Sequence, residues 1–131
     1  MLHLQSNQRL YISEDLLGYV DKLIDDGTIP YVVDFLKLGF AYAVTNELPP
    51  ATKFSRHEIT DNTDILGKAK HVMEATSQWY ARKLEWDTLE DSTELLRFTC
   101  NTGIAGGRRL KDEWRTRSKT QVLSEIIKIS E

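Results

Sequence analysis

One segment limits the possible folds of this chain more than any other. Residues 31–44, YVVDFLKLGFAYAV, are apolar on nearly every side when placed on a helix, and only Asp34 and Lys37 interrupt them. A helix of this kind has to be buried on most of its sides. The sequence therefore predicts that it lies either at the centre of a domain or in a dimer interface.

The length of the chain suits a single domain built around such a helix. The chain has 131 residues and contains neither an internal repeat nor a low-complexity tract, which fits the usual size of one domain. We predict an all-α fold of about five helices in one compact domain over residues 1–131, with one short N-terminal β-strand. Residues 1–46 would form its first segment and residues 60–131 a helical bundle.

The N-terminal residues predict the strand and the first helix. Residues 8–13, QRLYIS, alternate polar and apolar side chains, which is typical of a strand. Ser13 stands where a helix N-cap is expected, and Gly27 stands where a C-terminal glycine ends the helix. The next helix is predicted to begin at Thr28, with Pro30 in its first turn.

The remainder of the chain is predicted to be mainly helical. Residues 47–62 would form a long connection, with an extended piece at 54–60, FSRHEIT. Helical periodicity then predicts helices over residues 64–86, 93–117 and 120–130.

Composition and charge restrict the class of protein. The formal net charge is −3, which does not favour wholesale binding to nucleic acid. The single cysteine, Cys100, excludes an internal disulfide and fits a reducing compartment. No apolar run approaches the ~20 residues of a membrane helix, and the first residues lack the apolar core of a signal peptide. We expect a soluble, cytoplasmic protein without membrane contact.

The stretch NTGIAGGRRLKDEWRTR, residues 101–117, places glycines beside arginines, as phosphate-binding loops do. The two common phosphate and dinucleotide patterns, G-x-x-x-x-G-K-[ST] and G-x-G-x-x-G, are absent from it. On one continuous helix, a single face would carry Leu96, Cys100, Gly103, Gly107, Leu110 and Trp114. We predict that Cys100, Gly103 and Gly107 allow a neighbouring helix to come close, although each glycine costs about 1 kcal/mol relative to alanine. A phosphate-binding loop and a helix break at 106–107 are the alternatives.

A basic stripe runs beside this face and consists of Arg108, Lys111, Arg115 and Lys119. Asp112 and Glu113 partly neutralise it, so a solvated helix surface is one interpretation. Contact with nucleic-acid phosphates or with an acidic partner is the other.

The residues that usually carry catalysis form no recognisable pattern. The histidines are His3, His57 and His71, and none has a second histidine four residues away. His57 stands with Glu58 and Asp61 in a predicted loop, which favours a solvated cluster. Cys100 is predicted to be a small core residue and not a nucleophile. We therefore predict no enzymatic activity, no metal site and no cofactor.

Residues 9–44, from RLYIS to YAV, resemble ribbon-helix-helix proteins. They share the order of a short strand, a capped helix, a glycine turn and a strongly apolar second helix. In that family two chains pair their strands into a ribbon that enters the DNA major groove. The resemblance implies a homodimer in which Asn7, Arg9 and Tyr11 read bases and the start of the second helix holds a phosphate.

A second resemblance covers more of the chain. VVDFLKLGFAYAV at 32–44, a proline-containing loop, and LLRFTCNTGIAGGRRL at 95–110 are similar to small proteins encoded beside bacterial DNA phosphorothioation systems. The matching features are the segments 34–40 and 101–107. This resemblance implies an accessory role in DNA modification or phage defence.

Three functions stay open from the sequence. The favoured one is a non-enzymatic accessory protein that forms a homo-oligomer and acts through a protein partner, with DNA as a second candidate partner. The alternatives are a ribbon-helix-helix regulator or antitoxin, and a small enzyme with an unrecognised site. The residues predicted to contact a partner or nucleic acid are Arg9, Tyr11, Arg108, Lys111, Arg115 and Lys119.

Overall fold

A computed structural model describes residues 1–130, together with the side chains of all of these except residues 60 and 61. Within this range the chain forms five α-helices and one two-stranded antiparallel sheet, so the predicted mainly helical fold is confirmed. The helices are α1 (Glu14–Asp25), α2 (Val32–Thr45), α3 (Ala69–Lys83), α4 (Ser92–Trp114) and α5 (Lys119–Ser130). The strands are β1 (Arg9–Ser13) and β2 (Arg56–Asn62). No helix within residues 1–130 is both long and apolar enough to cross a membrane.

The apolar segment of residues 31–44 forms most of α2, which lies at the centre of the domain. Its buried residues are Val33, Phe35, Leu36, Leu38, Gly39, Phe40 and Ala43. The contact between α2 and α4 is the most extensive between any two helices of the described range, and α1 and α5 also touch α2. The high apolar content of α2 is thus explained by helices of the same chain that surround it.

Glycines bring the backbones of α2 and α4 into contact. A Cβ atom on Gly103 would lie 2.6 Å from Cδ1 of Leu36, and one on Gly107 would lie 2.8 Å from Cε2 of Phe35. The closest approach joins Gly39 of α2 to Gly106 of α4, where a Cβ on either residue would overlap backbone atoms of the other helix. Side chains at these positions would force the two helices apart.

The alternatives for the glycine stretch are wrong. Helix α4 continues from Ser92 to Trp114 through all three glycines, so the stretch contains neither a helix break nor a phosphate-binding loop. Cys100 is fully buried in the same helix. The helix predicted over residues 93–117 is three residues too long at its C-terminal end, because α4 ends at Trp114.

The second strand, β2, lies in the segment predicted as a long connection with an extended piece. It pairs with β1 in a register that joins Tyr11 to Glu58 and Ile12 to His57, with an irregularity between Arg9 and Tyr11. The strand pairing that the ribbon-helix-helix resemblance places between two chains is therefore made within one chain along this edge of β1.

Two predicted helix starts are wrong for identifiable reasons. Helix α2 begins at Val32 and not at Thr28, because the amides of Thr28 and Ile29 bond to the carbonyl of Leu23 and close the end of α1. The amide of Tyr31 donates to Asp34 Oδ2 at 3.1 Å, which starts α2 after Pro30. Helix α3 begins at Ala69 and not at residue 64, since Thr63–Leu66 form a separate 3₁₀ turn.

Candidate partner-binding site

An apolar groove of about 670 Å³ lies between α2, α3 and α5. The buried Leu38 and Phe40 of α2 contribute to its floor. Its other apolar residues include Ala41 and Val44 from α2, Val72 and Met73 from α3, and Ile126 and Ile129 from α5. The groove leaves apolar surface accessible to solvent, since the side chain of Val72 is 65% exposed.

The charges of the groove are few and compensated. Its ionisable lining groups are Asp34 and Lys37, which lie one turn apart on α2 with Lys37 Nζ 3.6 Å from Asp34 Oδ1. A phosphate-rich ligand would need an excess of positive charge here. The groove instead offers an apolar surface with a nearly neutral edge.

The length of the groove follows from the helix beneath it. Its lining on α2 extends from Asp34 to Thr45. Eleven residue steps at the α-helical rise span about 16 Å, or three turns. The sequence could not predict this groove, because it predicts that α2 is buried without indicating which side stays uncovered.

Most residues of the basic stripe donate hydrogen bonds to other parts of the same chain. Arg108 donates from Nε and Nη2 to the carboxylate of Asp15 at 3.0 and 2.9 Å, and Nη2 also donates to the carbonyl of Lys53 at 3.0 Å. Lys111 Nζ donates to the carbonyl of Asp15 at 3.0 Å, and Lys119 Nζ donates to the carbonyl of Asp26. These hydrogen bonds link α4 and α5 to α1. A partner that binds these cations would have to replace the hydrogen bonds that they already donate.

Arg115 is the member of the stripe that directly follows the last residue of α4. It is exposed at the C-terminal end of α4. Contact between the basic stripe and DNA or an acidic partner stays a prediction.

Tyr11 is buried in this fold, and its contact with bases stays a prediction. Its side chain is only 2% exposed, because the ring of Phe54 stacks over it and the guanidinium of Arg56 lies 4.1 Å from its centre. The hydroxyl donates to Asn101 Oδ1 at 2.6 Å, and burial raises the pKa of this phenol. Tyr11 thus joins β1 to α4, whereas Arg9 is exposed at the start of the strand and its contact with DNA stays a prediction.

The residues considered for catalysis have other surroundings. Burial raises the pKa of the Cys100 thiol to about 12, which keeps it protonated and unreactive at neutral pH. His57 and Glu58 are exposed on β2 and not in a loop. The side chain of Asp61, the third member of that predicted cluster, lies outside the described residues.

Sequence reasoning missed one cluster, formed by His3, His71 and Glu74. Glu74 is 1% exposed, and its Oε1 lies 3.2 Å from His3 Nδ1 and 3.1 Å from His71 Nδ1. Its other oxygen, Oε2, accepts from the amide of Leu4 at 2.6 Å. The spacing of His71 and Glu74, three residues apart on one helix, was the only available signal, because His3 stands far away in the sequence.

Comparisons of the chain with models of protein families, with curated proteins and with solved structures found no significant match.

Proposed function

We propose that this protein is a non-enzymatic helical interaction protein, and that it binds an amphipathic helix of a protein partner in the groove between α2, α3 and α5. The observation that carries the proposal is the accessible apolar lining of that groove, with Val72 65% exposed beside the buried Met73. Apolar surface of this kind, bordered by polar residues, is typical of protein interaction sites.

The shape and chemistry of the groove favour a helix over other ligands. Most of its lining belongs to helices, whose backbone groups are satisfied internally, and the lining residues 28–30 belong to no strand, so a partner strand would find no sheet edge to extend. A stretch of about 16 Å accommodates three helical turns, which present apolar side chains at positions i, i+3 or i+4 and i+7. The Asp34–Lys37 pair leaves little net charge to attract nucleic acid.

The titratable groups of the groove and of the α4 core support a function without catalysis. The groove holds one carboxylate and one ammonium group, which pair with each other. The buried Cys100 thiol is protonated at neutral pH and lies in the α4 core. Neither arrangement provides the activated nucleophile or positioned general base that a reaction centre needs.

The resemblance to phosphorothioation-associated proteins suggests where the partner would be found. The two segments that carry this resemblance form α2 and α4, the helices that pack through their glycines. The likeness thus concerns the core of the domain, whereas the groove would provide the contact with another protein. We propose that this partner belongs to a DNA-modification or phage-defence system.

The test uses a photoreactive amino acid placed at Val72 in the cells that encode the protein. We expect it to cross-link to one partner protein, and we expect a helical peptide from the cross-linked segment to bind the purified chain. Val72→Glu should weaken peptide binding at least about tenfold, equivalent to about 1.4 kcal/mol, because a carboxylate would be buried against apolar side chains.

A matched control is available on α5. Ile127 is 62% exposed and β-branched like Val72, but it does not line the groove. Ile127→Glu should leave peptide binding unchanged. Equal effects of the two substitutions would contradict the proposal, as would cross-linking of Val72 only to a second copy of this chain.

A further inference from the structure

We infer that His3, His71 and Glu74 form a binding site for a divalent transition-metal ion of the zinc type. This site lies on α3 and the N-terminal segment and does not depend on the proposed helix partner. Each of the three side chains offers one ligand atom, and these atoms all lie within 4.8 Å of one another.

Two of the three separations between ligand atoms are close to what a tetrahedral ion requires. Two ligand atoms that each lie 2.0–2.1 Å from a tetrahedral zinc ion are about 3.4 Å apart. The separations from Glu74 Oε1 are 3.2 Å to His3 Nδ1 and 3.1 Å to His71 Nδ1. Small rotations of the two imidazoles would complete the geometry, and both rings have room to rotate since they are 57% and 82% exposed.

The N-terminal segment is held in place by contacts that do not involve the histidines. The amide of Leu2 donates to Gln78 Oε1 at 3.1 Å, and Gln78 Nε2 donates to the carbonyl of Leu2 at 3.1 Å. The amide of Leu4 donates to Glu74 Oε2. These bonds fix the residues on both sides of His3 against α3, and they orient the Glu74 carboxylate as outer-shell partners orient metal ligands.

The chemistry of the donor atoms identifies the class of ion. Two imidazole nitrogens with one carboxylate suit zinc and neighbouring transition metals, whereas calcium and magnesium prefer oxygen ligands alone. The side chain of Glu74 is only 1% exposed, and a bound cation would compensate the charge of this buried carboxylate.

The test is calorimetric titration of Zn²⁺ into the full chain after treatment with a chelator. We expect one ion per chain and an increase in melting temperature with zinc, because the ion would bind the folded state. His3→Ala and His71→Ala should each weaken binding at least about tenfold, which is the smallest loss usual for outer-shell partners. Both substitutions change exposed side chains, so both variants should fold.

The third histidine provides the matched control. His57 is exposed on β2, and His57→Ala should leave zinc affinity unchanged. Three results would overturn the site: no zinc binding by the wild-type chain, equal losses in all three variants, or a loss confined to His3→Ala. The last result would show that the N-terminal residues alone bind the ion.

Titration with Co²⁺ gives an independent measurement. These three ligands together with one water molecule should give the visible absorption bands of four-coordinate cobalt, and His71→Ala should abolish them. Bands that persist in His71→Ala would contradict the ligand assignment.

Discussion

The two sides of α2 are both apolar, yet they have different neighbours. On one side Gly39 meets α4, where the glycines of both helices bring the backbones into contact. On the other side Ala41 and Val44 line the groove, between walls that include Met73 and Ile126. A small residue thus allows close packing only where the facing helix also presents small residues. Apolar composition predicts that a helix is buried, but the neighbouring helices decide how closely each side is covered.

The largest effect is expected on the α4 side, from Gly106→Ala. The new methyl group would overlap the Gly39 carbonyl, which belongs to rigid backbone and cannot move without shifting α2. We expect the free energy of unfolding to fall by at least about 3 kcal/mol, at the upper end of overpacking effects. Urea denaturation followed by circular dichroism would measure it.

A second glycine provides the control for this substitution. Gly18 is exposed in α1, and a Cβ there would meet no atom within 4 Å apart from those of its chain neighbours and its own helix backbone. Gly18→Ala should therefore stabilise the protein by about 1 kcal/mol through helix propensity alone. A stabilising effect of Gly106→Ala as well would show that the close contact between α2 and α4 does not exist.

Sequence spacing predicts part of this packing and not the rest. The 3–4 spacing of Cys100, Gly103 and Gly107 predicts a face of α4 on which small side chains lie together. It does not identify the opposing residue, because Gly39 stands within an apolar run where a missing side chain leaves no periodic signal. The tightest contact, between Gly39 and Gly106, emerges only when the two helices are placed together.

Long-range contacts explain why the site residues were harder to predict. Alternation correctly predicts a strand at β1, but not that the loop carrying Phe54 and the start of β2 would cover Tyr11. The His3–His71–Glu74 cluster has the same cause, since a hydrogen-bonded N-terminal segment brings His3 to α3. Local periodicity contains no information about either contact.

A smaller effect is expected on the charged side of α4, from Arg108→Ala. This change removes the two bonds to Asp15 and the bond to the Lys53 carbonyl, all at an exposed position. At neutral pH the free energy of unfolding should fall by about 0.5–1 kcal/mol, as it does when other exposed ion pairs are removed. Arg115→Ala, at an exposed position on the same stripe, should lower the free energy of unfolding by less than Arg108→Ala does.

The pH dependence of this loss separates the ion pair from simple packing. The hydrogen bond from Arg108 holds the pKa of Asp15 below its usual 3.8. Stability from a carboxylate with a lowered pKa is present above its unfolded value and disappears as the pH falls through the folded one. The difference in the free energy of unfolding between wild type and Arg108→Ala should therefore be constant from pH 7 to about pH 5 and shrink below pH 3.8. A difference that grows in acid would contradict the pairing.

The smallest effect is expected at the groove that α2 shares with α3, from Val72→Glu on α3. This side chain is 65% exposed, so its replacement exposes little new surface and should change the free energy of unfolding by less than about 0.5 kcal/mol. The same denaturation experiment that detects Gly106→Ala would measure it. A loss of several kcal/mol would mean that the chain itself fills the groove in solution, which would remove the difference between the two sides of α2. A stability close to wild type, together with weaker binding of a partner helix, would assign the apolar lining to recognition and not to folding.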